Sequence, residues 1–547
     1  MTQTMPFYHF TYRVLVVDDN PMALRALELS LGDEGFYVRT AANADDALEI
    51  MRTERFHVGI VDLRLNDFDN DDRAGLALIT ALHAIDPTLA VIILTATSDV
   101  QSALKAMEQT INQESSFRLW TSPAFRFRTK TAENLRDLPD TVREAFRQVH
   151  HCNLRLEIES PPDFMDAVIE RVGTGVAGML TTDQLREEVD ELVRKLFADW
   201  DYLSIEPVTA DYSGYSRAIV FKAIPRGARG QGDMIIAKIG SCALIEREVK
   251  GYRKCIRGMA GNFVPTAIEP AWRTRSLGGM VYTYAGLGGA IRDFAEYFRA
   301  NDPAFIEGVV ENLFRRTLSW QVHQIAKPHP AVDLRHLFFA RLRLQPQELI
   351  EKRDALTSGD VRLRIEDGAL LLDGMMALPD PVDFALNTPM MSSYAETNNH
   401  GDLHVHNVLI DDQNNAWLID FANADAAPLF SDHAFFEMSL RIEVCECSDI
   451  ASLYKWAASL TVEAFQPIPT EVVQDVTIEK AHRAIKVIRR HVVRGTPDEA
   501  ARSWRIYMTM LFFIALRLTT VKFLSVTRRQ HALIVAALLA RRLRAEA

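Results

Sequence analysis

The run His400-Gly401-Asp402-Leu403-His404-Val405-His406-Asn407-Val408-Leu409-Ile410 carries more chemistry than any other stretch of the sequence. The acid Asp402 is followed five residues later by the amide Asn407, and thirteen residues beyond that by the acid in Leu418-Ile419-Asp420-Phe421. This set suits metal-assisted phosphoryl transfer. The first acid orients or deprotonates an attacking hydroxyl, while the amide and the second acid hold Mg2+ on nucleotide phosphates. Such a site works by positioning and charge neutralisation. A second set lies near the start of the chain. The apolar runs Val14–Val17 and Val58–Val61 end in Asp18-Asp19 and in Asp62, and Val91–Leu94 ends at the hydroxyl of Thr95. Ligands of open α/β sheets gather at strand carboxyl ends. Three carboxylates there repel one another unless a cation joins them, and an oxygen-liganded Mg2+ fits.

The elements that must hold these groups are legible as two patterns. From Tyr12 to about Val149, short β-branched runs alternate with amphipathic stretches such as Met22–Leu31 and Ala44–Met51. That alternation predicts a doubly wound parallel α/β sheet. Residues 150–202 read as a connector with a strand over Leu154–Ile158, the loop Ser160-Pro161-Pro162, and a charged amphipathic helix over Thr182–Phe197. That helix can be a relay or a spacer. Over residues 203–290 the pattern becomes antiparallel β, with a hairpin of Arg217–Ile224 and Met234–Ile239 around a glycine-rich turn. A helical pattern follows at Ala243–Ile256, then a strand ending at Val281–Tyr284. Residues 291–547 are mainly helical, with short β patterns around Val361–Leu372 and Val408–Phe421.

Composition bounds the reading. A chain of 547 residues exceeds one core. The net charge of −12 argues against general nucleic-acid binding. The basic residues Arg528, Arg529, Arg541, Arg542 and Arg544 read as the solvated face of a last helix. Five cysteines without CxxC spacing suit a reducing compartment, and neither a disulfide framework nor a structural zinc site is expected. The start of the chain has no signal-peptide pattern. Arg517 and Lys522 interrupt the apolar stretch Ile506–Leu524, which predicts a buried helix and no membrane span. The expected location is cytoplasmic.

The segments VLVVDDNP, GIVDLRL and VIILTATSD make residues 12–149 resemble the response-regulator receiver family. The resemblance implies a five-stranded parallel sheet with Asp62 as phospho-acceptor, Asp18 and Asp19 as Mg2+ ligands beside it, and Thr95 as switch hydroxyl. The family's lysine at the end of the fifth strand has two candidate alignments. One uses Lys130 after Arg126–Thr129, followed by the helical pattern Ala132–Phe146. The other puts Ser122-Pro123 there, with no lysine. An upstream sensor histidine kinase or phosphotransfer protein is the implied partner, and a homodimer through the receiver is compatible with it.

The motifs HGDLHxxN and IDF make residues 203–547 resemble the aminoglycoside phosphotransferase and choline kinase group of kinase-like proteins. The overall pattern is similar to the kinase-like "ternary complex associated" domains. The resemblance implies a bilobal α+β kinase-like domain with its N-lobe at 203–290 and its C-lobe at 291–547. An insertion over about 330–397 is where acceptor specificity could be built. By this likeness Asp402 is the catalytic base, Asn407 and Asp420 hold Mg2+, and Lys238 contacts the phosphates of ATP or another NTP. Glu248 is its ion-pair partner, with Glu246 as rival. Ser213 and Gly214, in the turn Asp211–Ser216, cover the phosphates, and Val281–Ala285 forms the hinge. His404 resembles the motif's second histidine with a structural role, and His406 falls in the variable part and reads as incidental. Asp432 reads as a structural residue, a helix N-cap, and similar acids in this group brace the catalytic loop.

The expected function is a two-component-type protein in which phosphorylation of Asp62 regulates a kinase-like phosphotransferase with an unknown acceptor. The alternative is a nucleotide-binding pseudokinase scaffold. A DNA-binding regulator is a third class, disfavoured because no helix-turn-helix with a basic recognition helix stands out.

Overall fold

Five strands build the first sheet: β1 (Arg13–Val17), β2 (Tyr37–Ala41), β3 (Val58–Val61), β4 (Ala90–Thr95) and β5 (Arg126–Thr129). All pairs are parallel, in the order β2-β1-β3-β4-β5. Side chains alternate across a strand. Val14 and Val16 therefore enter a core with Leu27, Leu31 and Val142, while Leu15 and Val17 enter another with Met51, Ile79 and Leu82. The helices α1 (Pro21–Asp33), α2 (Ala44–Thr53) and α3 (Ala74–Ile85) supply most of those partners. Asn20 and Asn43 cap α1 and α2 through their side-chain oxygens.

The computed structural model describes residues 12–65, 74–95, 117, 124–173, 175–176, 180–207, 218–228, 230–256, 266–283, 291–322, 329–358, 362–372, 377–445, 450–461, 476–495 and 500–545. The chain divides into two compact units, Met1–Lys250 with Thr266–Gly288, and Gly251–Pro265 with Gly289–Ala547.

The first unit holds a second, seven-stranded sheet. Its strands are β6 (Glu157–Glu159), β7 (Tyr202–Pro207), β8 (Ile219–Gly227), β9 (Gly230–Gln231), β10 (Ile235–Ser241), β11 (Thr266–Arg273) and β12 (Leu277–Thr283). The order is β11-β12-β10-β8-β7-β6, with β9 paired to β8. All pairs are antiparallel except β6 with β7. Residues 150–202 do more here than connect. They give β6 to the sheet, and the helices Phe164–Gly173 and Thr182–Leu196 give Phe164, Val168, Leu185, Val189 and Leu192 to its core. Thr181 and Gln184 form a capping box that fixes where the second helix begins.

The second unit is mainly helical. Its largest core joins Ala500–Thr519 and Val526–Ala545 to Ser431–Ile442, and it also takes in the inserted elements. Leu349 from helix Pro346–Thr357, Leu363, Leu370 and Leu378 from three short strands, and Phe384 from helix Pro381–Asn387 are all buried in that core. Among the described residues no helix is long and apolar enough to cross a membrane.

Candidate functional site

Parallel register brings the first polar set together. Val17 lies opposite Val61, Val61 opposite Ile93, and Thr95 opposite Thr129, so Asp18, Asp62, Thr95 and Lys130 follow at one rim of the sheet. Asp18, Asp19 and Asp62 each offer an oxygen within 4.8 Å of the others'. Lys130 Nζ lies 2.6 Å from both Asp18 Oδ2 and Asp62 Oδ2, and its backbone N–H donates to Thr95 O at 2.8 Å. Lys130 is thus the residue that ends β5 in the site, while Ser122-Pro123 lies outside the described residues. Burial pushes the Asp18 carboxyl up, against the hydrogen bonds from Lys130 and the Asn20 N–H, and Asp62's charge adds to the rise. Burial alone would lower the Lys130 ammonium, but its bonds to Asp18 and Asp62 outweigh that and hold it up. Three carboxylates against one ammonium leave two negative charges, which suits a hard divalent cation.

The second polar set is divided between the two units. In the first unit Lys238 lies in β10, opposite Met280 of β12 and Val220 of β8. Its Nζ is 2.7 Å from Glu248 Oε2 on helix Cys242–Gly251, and both side chains are buried. The Tyr282 hydroxyl donates to Glu248 Oε1. Glu246 instead pairs with Lys250 at 2.9 Å on the exposed side of the helix. The turn with Ser213 and Gly214 lies outside the described residues, as does the hinge segment beyond Thr283.

In the second unit Asp402 sits in an irregular loop between strand Glu396–Asn399 and the hairpin of Val408–Ile410 with Ala416–Leu418. Gly401 has φ +80°, and a Cβ there would meet Asn423 O at 2.1 Å, so only glycine fits. Asp432 accepts from the backbone N–H of His400 and of Gly401, at 2.9 Å each, and from Gln321 Nε2 at 3.0 Å. This corrects the N-cap expectation. Asp432 is the second residue of helix Ser431–Ile442, and its carboxylate braces the loop while Phe430 occupies the cap position. His400 Nε2–H donates to Ile419 O at 2.8 Å, tying the loop to the residue before Asp420. Asn407 Nδ2 donates to Asp402 O at 2.8 Å, and Asn423 Nδ2 donates to Asp402 Oδ2 at 3.1 Å.

Burial and then the nearby Asp420 carboxylate push Asp402 up to about 6. Asp420 itself holds a left-handed backbone, φ 67°, which a non-glycine residue adopts only where its surroundings enforce it. Burial lowers His404 to about 4, so it is a neutral ring, and its Nδ1 accepts from the His406 N–H at 3.3 Å. His406 is more than incidental: its Nδ1 lies 2.8 Å from Asp293 Oδ2. Asn423 and Gln321 carried no motif, and their roles emerge only from the folded loop. Asn407 and Asp420 offer an amide and a carboxylate, donors of the kind that hold Mg2+ on phosphates, and the Asp402 carboxylate is near enough to Asp420 to feel its charge.

Comparison with known proteins separates the two halves. Residues 14–113 match the response regulator receiver domain family, and residues 343–519 match ternary complex associated domain 9. The transcriptional regulatory protein GlrR of Escherichia coli (strain K12) is 34% identical over 101 residues, which cover 18% of this chain and 22% of that protein. The DNA-binding transcriptional regulator NtrC of Proteus hauseri is 26% identical over 244 residues, 44% of each chain. The chain therefore spans less than half the length of these curated relatives. A crystal structure of a CheY-like response regulator receiver domain protein from Methanospirillum hungatei JF-1 is 25% identical, with a TM-score of 0.20, covering 24% of this chain and 92% of that one. The chain thus carries an N-terminal response regulator receiver domain with Asp62 at its rim, and a ternary complex associated domain 9 that contains Asp402, Asn407 and Asp420.

Proposed function

We propose that the chain is a two-component signalling protein in which phosphorylation of Asp62 regulates a kinase-like phosphotransferase. A histidine kinase or phosphotransfer protein is the phosphodonor to Asp62, with Mg2+ held by Asp18, Asp19 and Asp62. The observation that carries the phosphotransferase reading is the Lys238–Glu248 ion pair. A buried lysine and glutamate cost several kcal/mol of desolvation each, of order, and such a pair contributes little net stability. Its retention at a central strand is accounted for if Lys238 holds nucleotide phosphates while Glu248 aims it. Asn407 and Asp420 would hold Mg2+ on ATP, which would supply charge neutralisation at the phosphates. Asp402 would take the proton of an acceptor hydroxyl as its oxygen bonds to the γ-phosphorus and the bond from that phosphorus to the ADP oxygen breaks. A carboxyl raised to about 6 is a better proton acceptor than an ordinary aspartate and is still ionised at neutral pH.

The test is Mg2+-dependent ATP turnover by the full chain. Wild-type protein should turn ATP over, and Asp402→Ala should lower the rate by about a hundredfold or more. ATP binding without turnover, with or without phosphorylated Asp62, would leave the pseudokinase scaffold as the reading.

A further inference from the structure

Helix Ser431–Ile442 lies along the Asp402 loop and touches it at both ends. At its start Asp432 takes the backbone N–H groups of His400 and Gly401. About two turns on, Ser439 Oγ accepts from the Val405 N–H at 2.9 Å. At its end the buried C-cap residue Glu443 places Oε2 3.9 Å from His406 Nε2.

Between these contacts the chain makes a 3-10 turn of three residues, Val405–Asn407, closed by the Asn407 N–H on His404 O at 2.9 Å. Turns of this kind are short and poorly bonded, so they depend on outside support. The turn ends on Asn407, whose Nδ2 is committed to Asp402 O, which leaves Oδ1 as its donor to a metal. His406 supplies a hold on the side away from Asp432. Its Nδ1–H donates to Asp293 Oδ2 at 2.8 Å while Nε2 faces Glu443, so a half-buried ring stands between two buried carboxylates. Asp293 is fixed in turn. Its Oδ1 accepts from the Glu296 N–H at 2.6 Å as the N-cap of helix Phe294–Ala300, and its backbone pairs with Leu409, two residues past Asn407.

We infer that His406 is a positioning residue that, through Asp293 and Glu443, holds Asn407 in place for Mg2+ on a bound nucleotide. The inference rests on the reading of Asn407 as a metal-holding residue of a nucleotide site. His406 and Asn407 are neighbours on one short turn, so freeing the ring lets Asn407 swing. Asp402 is secured separately, by the hold of Asp432 on Gly401. The side chain of His406 should therefore matter to metal-assisted nucleotide binding and little to binding of the nucleotide alone.

The experiment is binding of the fluorescent nucleotide mant-ATP by the full chain, once with Mg2+ and once with EDTA. The ratio of the two affinities reads the metal held at the nucleotide, since a cation at the receiver rim gives no nucleotide signal. His406→Leu should lower that ratio by about tenfold, the size of effect usual for groups that orient a metal ligand, with the affinity in EDTA little changed. His406→Asn places an amide N–H where Nδ1–H stands and should keep the ratio. Should the leucine variant fail to fold, Asp293→Asn carries the test. Asparagine still caps the helix but turns N–H toward N–H at His406, so the ratio should fall there too. Ratios equal to wild type in the disrupted variants, equal losses with and without Mg2+, or a loss in His406→Asn as deep as in His406→Leu would each overturn the inference and leave the nucleotide site standing. A wild type that binds mant-ATP no better with Mg2+ would also overturn it. A wild type that binds no mant-ATP would overturn the nucleotide reading as well. The expected ratios without ATP turnover would sink the phosphotransferase reading and leave the role of His406 intact.

Discussion

In the receiver, Asp18, Asp19 and Asp62 sit where parallel strand register leaves them, whereas Asp402 and Asp420 sit on irregular backbone tied down by buried side chains. The first arrangement needs only strands of matched length. The second needs Asp432 to accept two loop N–H groups, His400 to grip Ile419 O, and a glycine at 401. A register-built site loses function one side chain at a time. A loop-built site loses its geometry at once when a brace fails.

Gly401→Ala is the sharpest way to break the comparison. The added methyl cannot coexist with Asn423 O at 2.1 Å or with φ +80°. The loop must move by about an ångström, and ATP turnover should fall by about a hundredfold. A rate within threefold of wild type, on the order of experimental scatter, would show that the loop is less constrained than its geometry implies. Lys130→Ala probes the register-built site. It leaves three carboxylates without their ammonium, so the receiver should lose about 2 kcal/mol without metal. Mg2+ should restore most of that, read as a melting shift larger than in wild type. Equal Mg2+ shifts in both proteins would argue against a cation at this rim.

The smallest effect concerns a buried ionic knot in the first unit, where Arg55 and His57, just before β3, meet Glu191 of helix Thr182–Leu196, which also pairs with Lys195. Burial lowers His57 from 6.5 to about 3, opposed by Glu191 and aided by the Arg55 charge. His150 is lowered too, by burial and the Lys195 charge. Both rings are neutral at pH 7 because their burial away from water disfavours the imidazolium. On acidification the unfolded chain takes up these protons first. The His57 contribution is therefore fully present above about pH 7 and falls through the window from 6.5 toward 3, by about 1.4 kcal/mol per pH unit. Melting between pH 7 and 5 should show this slope, and His57→Gln should flatten it. An unchanged slope in the variant would assign the pH dependence to other groups.

Much of the receiver was legible because alternation and strand-end aspartates are local signals. Lys130 was one of two alignments, since β5 (Arg126–Thr129) is partly exposed and lacks the apolar run that marks the other strands. Helix Thr182–Leu196 misleads in a different way. Glu188, Asp190, Glu191 and Lys195 look like a solvated face, yet all four are buried. Glu191's partners Arg55 and His57, and Glu188's partner Thr274, are distant in sequence, so nothing local distinguishes these buried paired charges from wet ones. Asp432 is similar: its place at a helix start suggested a cap, and only the folded loop shows which N–H groups it serves.

The knot around Glu191 also bears on how such a chain can be rearranged. Receivers are commonly regarded as cassettes that recombination or cloning can move between outputs. Here a cut near residue 150 would strip Glu191 of Arg55 and His57 and part Phe117 from its bridge to Ala271 of β11. Met1–Lys250 with Thr266–Gly288 is in that sense a single inheritable part.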